Sequence, residues 1–384
     1  MKLKKLDVLN KPYKIYAEVL DSGSIEQFVN VMSHPAIVQG ALMPDAHSGY
    51  VLPIGGVVAS KDLIFPAFVG YDIGCGMCAV PTTFDLAEIK IFAKEIFYEI
   101  YRQIPVGFNH YKTPQDWKEF NSIPKTDFLK NVVKNGGMNQ LGTLGSGNHF
   151  IEIGTDADNC VWIIIHSGSR NVGHKIATHY MTIAADEALA RDGKSPQGKA
   201  KEGVFGLDCN SQTGKDYIID MNFALAFALE NRRQMIQSVV KCIQKFTDGK
   251  ESIDLFINRN HNHAELKDDL WIHRKGATHA EYGMMGVIPG NMRDGSFIVT
   301  GMGNPESLYS SSHGAGRVMG RAEAKRQLSF DDFSDTMLGI VAKVDDSTLD
   351  EAPMAYKDIF EVMRLQGDLV QIVYHVKPII NIKG

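Results

Sequence analysis

Four times in this chain an apolar run of strand character breaks into a loop of glycine, serine or asparagine, and each time the loop carries a side chain able to bind a metal. The four are Asp72-Ile73-Gly74-Cys75, Asn148-His149, His166 and His261-Asn262-His263. Strand ends that open into loops are where scaffolds of mixed α and β structure carry their binding residues. A carboxylate, a thiolate and three imidazoles form a mixed N/O/S donor set. It suits Zn²⁺, Mn²⁺, Fe²⁺ or Co²⁺ and does not suit Mg²⁺ or Ca²⁺. Asp72 and Cys75 either face one centre or straddle two, with the thiolate bridging. Taken singly, Cys75 reads as a buried core thiol, and His149 and His166 as hydrogen-bonded histidines at strand ends. Their joint occurrence is what favours a site. Cys78 completes a CxxC, but no second pair follows, and in a strand its thiol points away from that of Cys75. It reads as core. His174 and His179, five apart on an expected helix, read as surface or packing residues.

The stretch Ser310–Arg326, SSSHGAGRVMGRAEAKR, reads as a glycine-containing loop running into a helix over Arg317–Arg326. The free N–H groups at a helix start suit a phosphate, and His313 stands at the mouth of the loop, where an imidazole can act as donor, acid or nucleophile. A capped helix start with a merely hydrogen-bonded histidine is the competing reading. Three further segments suit a nucleotide: PGNMRDGS (289–296), HRKGATH (273–279, with Arg274 and Lys275) and Lys383 near the C-terminus. Each is weak alone.

The remaining chain bounds the class. Residues 42–60 read as loop then strand, and 66–80 as a glycine-rich turn between extended pieces. Ser24 with Gln27 resembles a capping box. Asp85–Gln103 reads as one amphipathic helix, 107–140 as a polar surface flap, and Val172–Arg191 and Asp216–Phe246 as long helices. No internal repeat or low-complexity linker interrupts 1–384, so the expected architecture is α+β: a single compact mixed domain with central β-sheets flanked by helices. The net charge of −5 gives no global signal for nucleic acid, so any RNA contact must be local. The N-terminal stretch lacks an apolar core of signal-peptide length, no run is long enough for a membrane span, and the odd total of five cysteines points to a reducing cytoplasm.

The blocks MPDAHSGYVLPIGG, DIGCGM, LGTLGSGNHFIE, HSGSRNVGH, NHNHAE, HRKGAT, IPGNM and SSSHGAGR occur in this order from Met43 to Arg317. Together they resemble the RtcB-type RNA ligases, the tRNA-splicing and RNA-repair ligases that use GTP and Mn²⁺. The resemblance implies that His313 takes GMP from GTP as a phosphoramidate. It implies that Asp72, Cys75, His149, His166 and His261 hold two Mn²⁺ ions, and that Asp45 handles the RNA end. The guanylate site would involve Asn148, His149, Phe150, Ile151 and Glu152, then His261 and Asn262. It would also draw on Pro289, Gly290, Asn291, Met292 and Ser296, on His313, Gly314, Ala315 and Gly316, and on Lys383. The implied reaction joins an RNA 3′-phosphate or 2′,3′-cyclic phosphate to a 5′-OH, with an archease-type activator as a further possible partner and a monomer as the expected state. A dinuclear metallophosphodiesterase that opens cyclic-phosphate ends without ligation is the alternative, and a non-catalytic RNA-end binder is a third. Asn291, Asn171 and His263 depart from the family's usual serine, glycine and aromatic residue. The chain is also shorter than many family members, which puts an RNA-gripping insertion in doubt.

Overall fold

A computed structural model describes residues 9–199 and 203–384. Among the described residues, two large β-sheets, two two-stranded ones and the helices around them make one α+β domain. The larger sheet runs Met285–Pro289, Ser296–Gly301, Val370–Lys383, Phe150–Thr155, Val161–Ser167, Gly76–Pro81 and Ile257–Asn260, with Val341–Ala342 paired to the long C-terminal strand. Its central strands Val161–Ser167 and Gly76–Pro81 are buried along their whole length, and their apolar residues divide by parity. Ile163 and Ile165 pack with Ile96, Ile100, Met235 and Val239 beneath the helices Ala93–Gln103 and Gln212–Ile243. Trp162 and Ile164 face Ile257, Val287, Ile298 and Val376 on the other side. The period of two sorts one sequence run into two cores.

The smaller sheet orders Tyr13–Ile15, Ile37–His47, Ile54–Ser60, Leu270–Lys275 and Asn262–Lys267. Its chain neighbour Ala277–His279 pairs with Ser310–Ser312, which delivers His313.

Register explains why the four loops meet. Phe150 lies opposite His166, Ser167 opposite Gly76, and Gly76 opposite Asn260. One step beyond these pairs stand His149, Cys75 and His261. Four adjacent antiparallel strands therefore end along one edge, and His149, Cys75 and His261 line up with His166 across it.

Several sequence expectations are corrected. Helix Ser22–Met32 is capped by Asp21, whose side chain accepts from Ser24 N–H; Gln27 instead pins the following loop through Gly49. Leu42–His47 continues strand Ile37–His47 and is not loop. Pro66–Val69 is a helical turn, as proline at its first position favours. Asp85–Gln103 is two helices broken at Phe92 (φ −96°, ψ 15°). The 107–140 segment is not merely a flap, because Trp117 and Leu129 are buried in the main core. The helix after His313 begins at Arg321 and not Arg317. Arg317 forms a β-bridge with Tyr356, and the left-handed Gly316 (φ 74°) lies where a Cβ would come within 2.2 Å of the Asp45 carbonyl. The backbone is thus committed to Asp45 and Tyr356 before it can coil, so the helix that follows does not start at the His313 loop. Among the described residues, no helix is long and apolar enough to cross a membrane.

Candidate active site

The dipeptide Asn231-Arg232, in the middle of helix Gln212–Ile243, ties the four loops together. Buried Arg232 donates to the carbonyls of Gly74 (3.0 Å) and Ser167 (2.7 Å) and to the side-chain oxygens of Asn258 and Asn260 (2.7 Å each). Asn231 accepts from Gly142 and Thr143 N–H and donates to the Thr143 and Gly168 carbonyls. The guanidinium is fully enclosed, and burial lowers its pKa to about 10, still charged at neutral pH. Fixed donors in a helix interior thus hold backbone that would otherwise be mobile.

On that frame Cys75 Sγ lies 3.1 Å from His166 Nε2 and 3.5 Å from His149 Nε2. His166 Nε2 lies 3.2 Å from His261 Nε2, and His149 Nε2 lies 3.1 Å from Asp72 Oδ2. Cys75, His149, His166 and His261 are buried. The Nδ1 atom of His149 donates to the Leu144 carbonyl (2.9 Å) and that of His166 to the Asn148 carbonyl (3.0 Å). Each bond places the proton on Nδ1 and leaves the Nε2 lone pair pointing at the cluster, the tautomer a metal ligand needs. Burial and then neighbouring histidines hold His166 and His261 well below the usual histidine range, so both are neutral. Burial, reinforced by Asp72, pushes the Cys75 thiol well up. Asp72, partly exposed, is held low at about 2, the pull of neighbouring His149, Cys75 and Arg170 outweighing its desolvation. The Nε2 atoms of His149 and His166 converge with His261 Nε2 on the Cys75 sulfur, a donor set that fits a divalent ion of the Zn²⁺ or Mn²⁺ class, which would take the place of the thiol proton. Cys75→Ser should therefore weaken metal binding at least ~100-fold, because a serine hydroxyl does not ionise there; titration of the chelator-treated protein measures it.

His313 stands beside this cluster, its ring centroid 4.9 Å from that of His261. Its Nδ1 donates to Asp45 Oδ2 at 2.7 Å, and its backbone N–H reaches the same oxygen at 3.2 Å. Asp45 is fully buried; despite that burial, His313 holds its carboxyl below the usual range. Lys357 donates to the carbonyls of Pro44 and Ala46 on either side of Asp45 (3.2 and 2.7 Å). With Nδ1 engaged, Nε2 of His313 keeps a free lone pair.

A cavity of about 630 Å³ joins these parts. Asp72, Cys75, His166, His261 and Asn262 line it, with Asn148, Phe150 and Glu152, the Pro289–Met292 turn, the His313–Gly316 loop and Lys383. At one end Glu152 Oε1, Ser296 Oγ and Asn381 Oδ1 are buried without partners. Burial raises Glu152 to about 8, against the opposing pull of Ser296 and Lys383. Buried polar atoms left unpaired in a cavity mark where a ligand supplies the missing donors. Ile151 turns into the core on the opposite face of its strand from Glu152. Lys383 is buried and reaches Glu351 at 2.6 Å; Glu351 also meets Arg321 (2.5 Å) and Tyr356 (2.7 Å).

Several residues here carried no sequence signal, among them Glu351, Tyr356, Asn381 and Lys357. Arg170 did stand in a quoted block, and its guanidinium comes within 3.5 Å of His149 Nδ1. His174, expected to be surface or packing, lines the cavity and stacks on Tyr71 at 5.1 Å. Arg274 turns away from the cavity toward Ser310 and Glu265, while Lys275 lines it. His179 packs on Phe128, and Cys78 lies in the core beneath the helices.

The family model described as tRNA-splicing ligase RtcB matches residues 27–135 and 115–384. The RNA-splicing ligase RtcB1 of Escherichia coli ATCC 25922 is 34% identical over the whole of both chains, and the RNA-splicing ligase RtcB of Escherichia coli K12 is 33% identical, again end to end. The tRNA-splicing ligase RtcB of Nanoarchaeum equitans is 31% identical over 98% of this chain and 96% of its own.

Proposed function

The chain belongs to the RtcB family of RNA ligases, and from that premise we propose that it joins an RNA 3′-phosphate to an RNA 5′-hydroxyl through GMP carried on His313. The observation that carries this reading is the Asp45–His313 pair, set in the same cavity as the Cys/His cluster and the unpaired Glu152.

The chemistry follows from the atoms. Asp45 fixes the proton on Nδ1, so Nε2 attacks the α-phosphorus of GTP and pyrophosphate leaves. The imidazole gains positive character as the N–P bond forms, and ionised Asp45 stabilises it. An oxygen of the RNA 3′-phosphate then attacks the same phosphorus and frees the imidazole. The RNA end now carries a 3′,5′ diphosphate link to guanosine. The 5′-hydroxyl oxygen attacks the RNA phosphorus, its proton is lost, and GMP departs. A cyclic phosphate end is first opened by water to a 3′-phosphate. Asp72, Cys75, His149, His166 and His261 would hold Mn²⁺, which supplies charge neutralisation at the phosphates. Arg170, Lys275, Arg317 and Arg321 add fixed positive charge around the cavity, Arg170 and Arg321 each at the start of a helix.

At the far end, Glu152 suits guanine, whose N1–H and exocyclic amino group offer two adjacent donors to one carboxylate. The free carboxyl titrates near 8, and only its ionised form accepts both. GTP affinity should therefore rise with pH up to about 8, by up to tenfold per unit, and level off above. Glu152→Gln should weaken GTP about 10- to 100-fold, reduce its preference over ATP, and remove that pH component. Calorimetry on both proteins across this range checks it; an unchanged slope in the variant contradicts the assignment.

The function itself is tested with two oligonucleotides, one ending in a 3′-phosphate and one starting with a 5′-OH, supplied with GTP and Mn²⁺. Joined product that requires GTP is expected. Opening of a cyclic-phosphate end without GTP, and no joined product with it, would mark a phosphodiesterase instead.

A further inference from the structure

The mouth of the catalytic cavity carries aromatic rings that none of the proposed nucleotide contacts uses. Tyr50, Tyr71 and His174 all line the cavity. Tyr71 immediately precedes the candidate metal ligand Asp72, and its ring stacks on that of His174 at 5.1 Å between centroids and 23° between planes. Tyr50 lies in the loop that joins strands Ile37–His47 and Ile54–Ser60. It meets Tyr71 in an edge-to-face pair at 5.9 Å and 89°, yet it is 62% exposed. His174 follows Arg170 by one turn of helix Arg170–Arg191, on the same face. Lys275 Nζ lies 5.6 Å from the centre of the Tyr50 ring.

A lone exposed tyrosine needs no explanation. These rings differ from one in three respects. They touch one another, so Tyr50 is braced and loses little side-chain freedom when a flat group covers it. They are continuous with a cavity that Arg170, Lys275, Arg317 and Arg321 make suitable for phosphates. They also stand apart from the residues proposed for guanine. Glu152 and Asn381 are paired across two strands of the larger sheet, whereas Tyr50 and Lys275 belong to the smaller sheet and its loop. Rings beside fixed cations are how proteins hold single-stranded nucleic acid: bases stack on the rings while the charges follow the backbone. On the premise that the chain is the ligase described above, we propose that Tyr50, braced by Tyr71 and His174, is a positioning residue for the RNA end. The base adjoining the join stacks on Tyr50, which brings the terminal phosphate or hydroxyl to the Asp72–Cys75 loop. The contact tolerates any sequence, because every base offers a flat π-face. Tyr50 itself touches none of the reacting atoms.

RNA oligonucleotides carrying 2-aminopurine test this with the full-length protein and Mn²⁺. The probe base is the last nucleotide of a 3′-phosphate strand in one arm and the first nucleotide of a 5′-OH strand in the other. Its fluorescence should be quenched on binding in at least one arm. Tyr50→Ala should abolish that quenching and raise the KM for RNA by about 5- to 100-fold, while GMP forms on His313 at the wild-type rate in the absence of RNA. Tyr50→Phe should restore both quenching and KM, because it keeps the ring and loses only the hydroxyl. Replacing the stacked base by an abasic nucleotide should remove the difference between wild type and Tyr50→Ala. Three results would each overturn the assignment: no quenching in either arm, an unchanged KM in Tyr50→Ala, or no recovery in Tyr50→Phe. A parallel loss of GTP affinity in Tyr50→Ala would overturn it too, by showing that the rings hold guanine. Failure of the wild type to guanylylate His313 would instead remove the ligase premise, and the stacking role with it.

Discussion

His313→Ala should abolish ligation, with the joining rate falling by about 10⁴ or more while GTP still binds within a few-fold of wild type. The separation follows from what the imidazole touches. Its protein contacts are Asp45 and the edge of the His261 ring, and its Nε2 contributes to the reaction only as an attacking atom. Removing a nucleophile eliminates the covalent step outright, and such losses are the largest single-residue effects in group transfer. The other residues proposed to hold the nucleotide, Glu152, Asn381, Lys383 and the Pro289–Met292 turn, line the cavity elsewhere. Single-turnover ligation beside GTP binding by calorimetry measures both. If GTP affinity collapsed together with rate, His313 would be a binding residue and the nucleophile would have to be sought elsewhere.

Asp45→Asn should slow GMP transfer by about 10³- to 10⁴-fold with the fold and GTP affinity nearly intact. The carboxamide has the same shape, so the fully buried position is still filled. It now has one oxygen and one NH₂ where two acceptors stood. Turned with its NH₂ toward His313, it would hold the ring with the proton on Nε2 and cancel the lone pair that attacks. Even with the oxygen toward Nδ1, no negative charge remains to stabilise the imidazole as it gains positive character. The rate of enzyme–GMP formation under excess GTP, with melting temperature as the control for folding, reads this directly. Loss of GTP binding without loss of the transfer rate would show Asp45 to be a structural support of the pocket.

The ligand cluster was legible in the sequence because each of its members abuts the break of an apolar run, and strand register did the rest. Cys75, His149, His166 and His261 needed only adjacent strands to meet. Asp45 and His313 are different. They are 268 residues apart, and nothing in PDAH or SHGAG says that one carboxylate belongs under the other ring. Nor did a pattern of apolar spacing distinguish Asn231 and Arg232 within a 32-residue helix, since buried polar residues of this kind are set by what surrounds them. The helix expected from Arg317 started four residues late because tertiary contacts to Asp45 and Tyr356 overrode good helical propensity. His174 is exposed and stacks on Tyr71, a surface and packing residue as expected, and it also lines the cavity. Its spacing from His179 ruled out a shared ion, which says nothing about a ring stacked on Tyr71 at the cavity wall.

The central claim is that one imidazole carries GMP. The most direct measurement incubates the purified protein with GTP and Mn²⁺ and no RNA, digests it, and locates the added mass by tandem mass spectrometry. The account predicts a single acid-labile guanylyl group on His313, formed with release of pyrophosphate and transferred when a 3′-phosphate RNA is added. A guanylyl group on any other residue, or one that persists in His313→Ala, would contradict it.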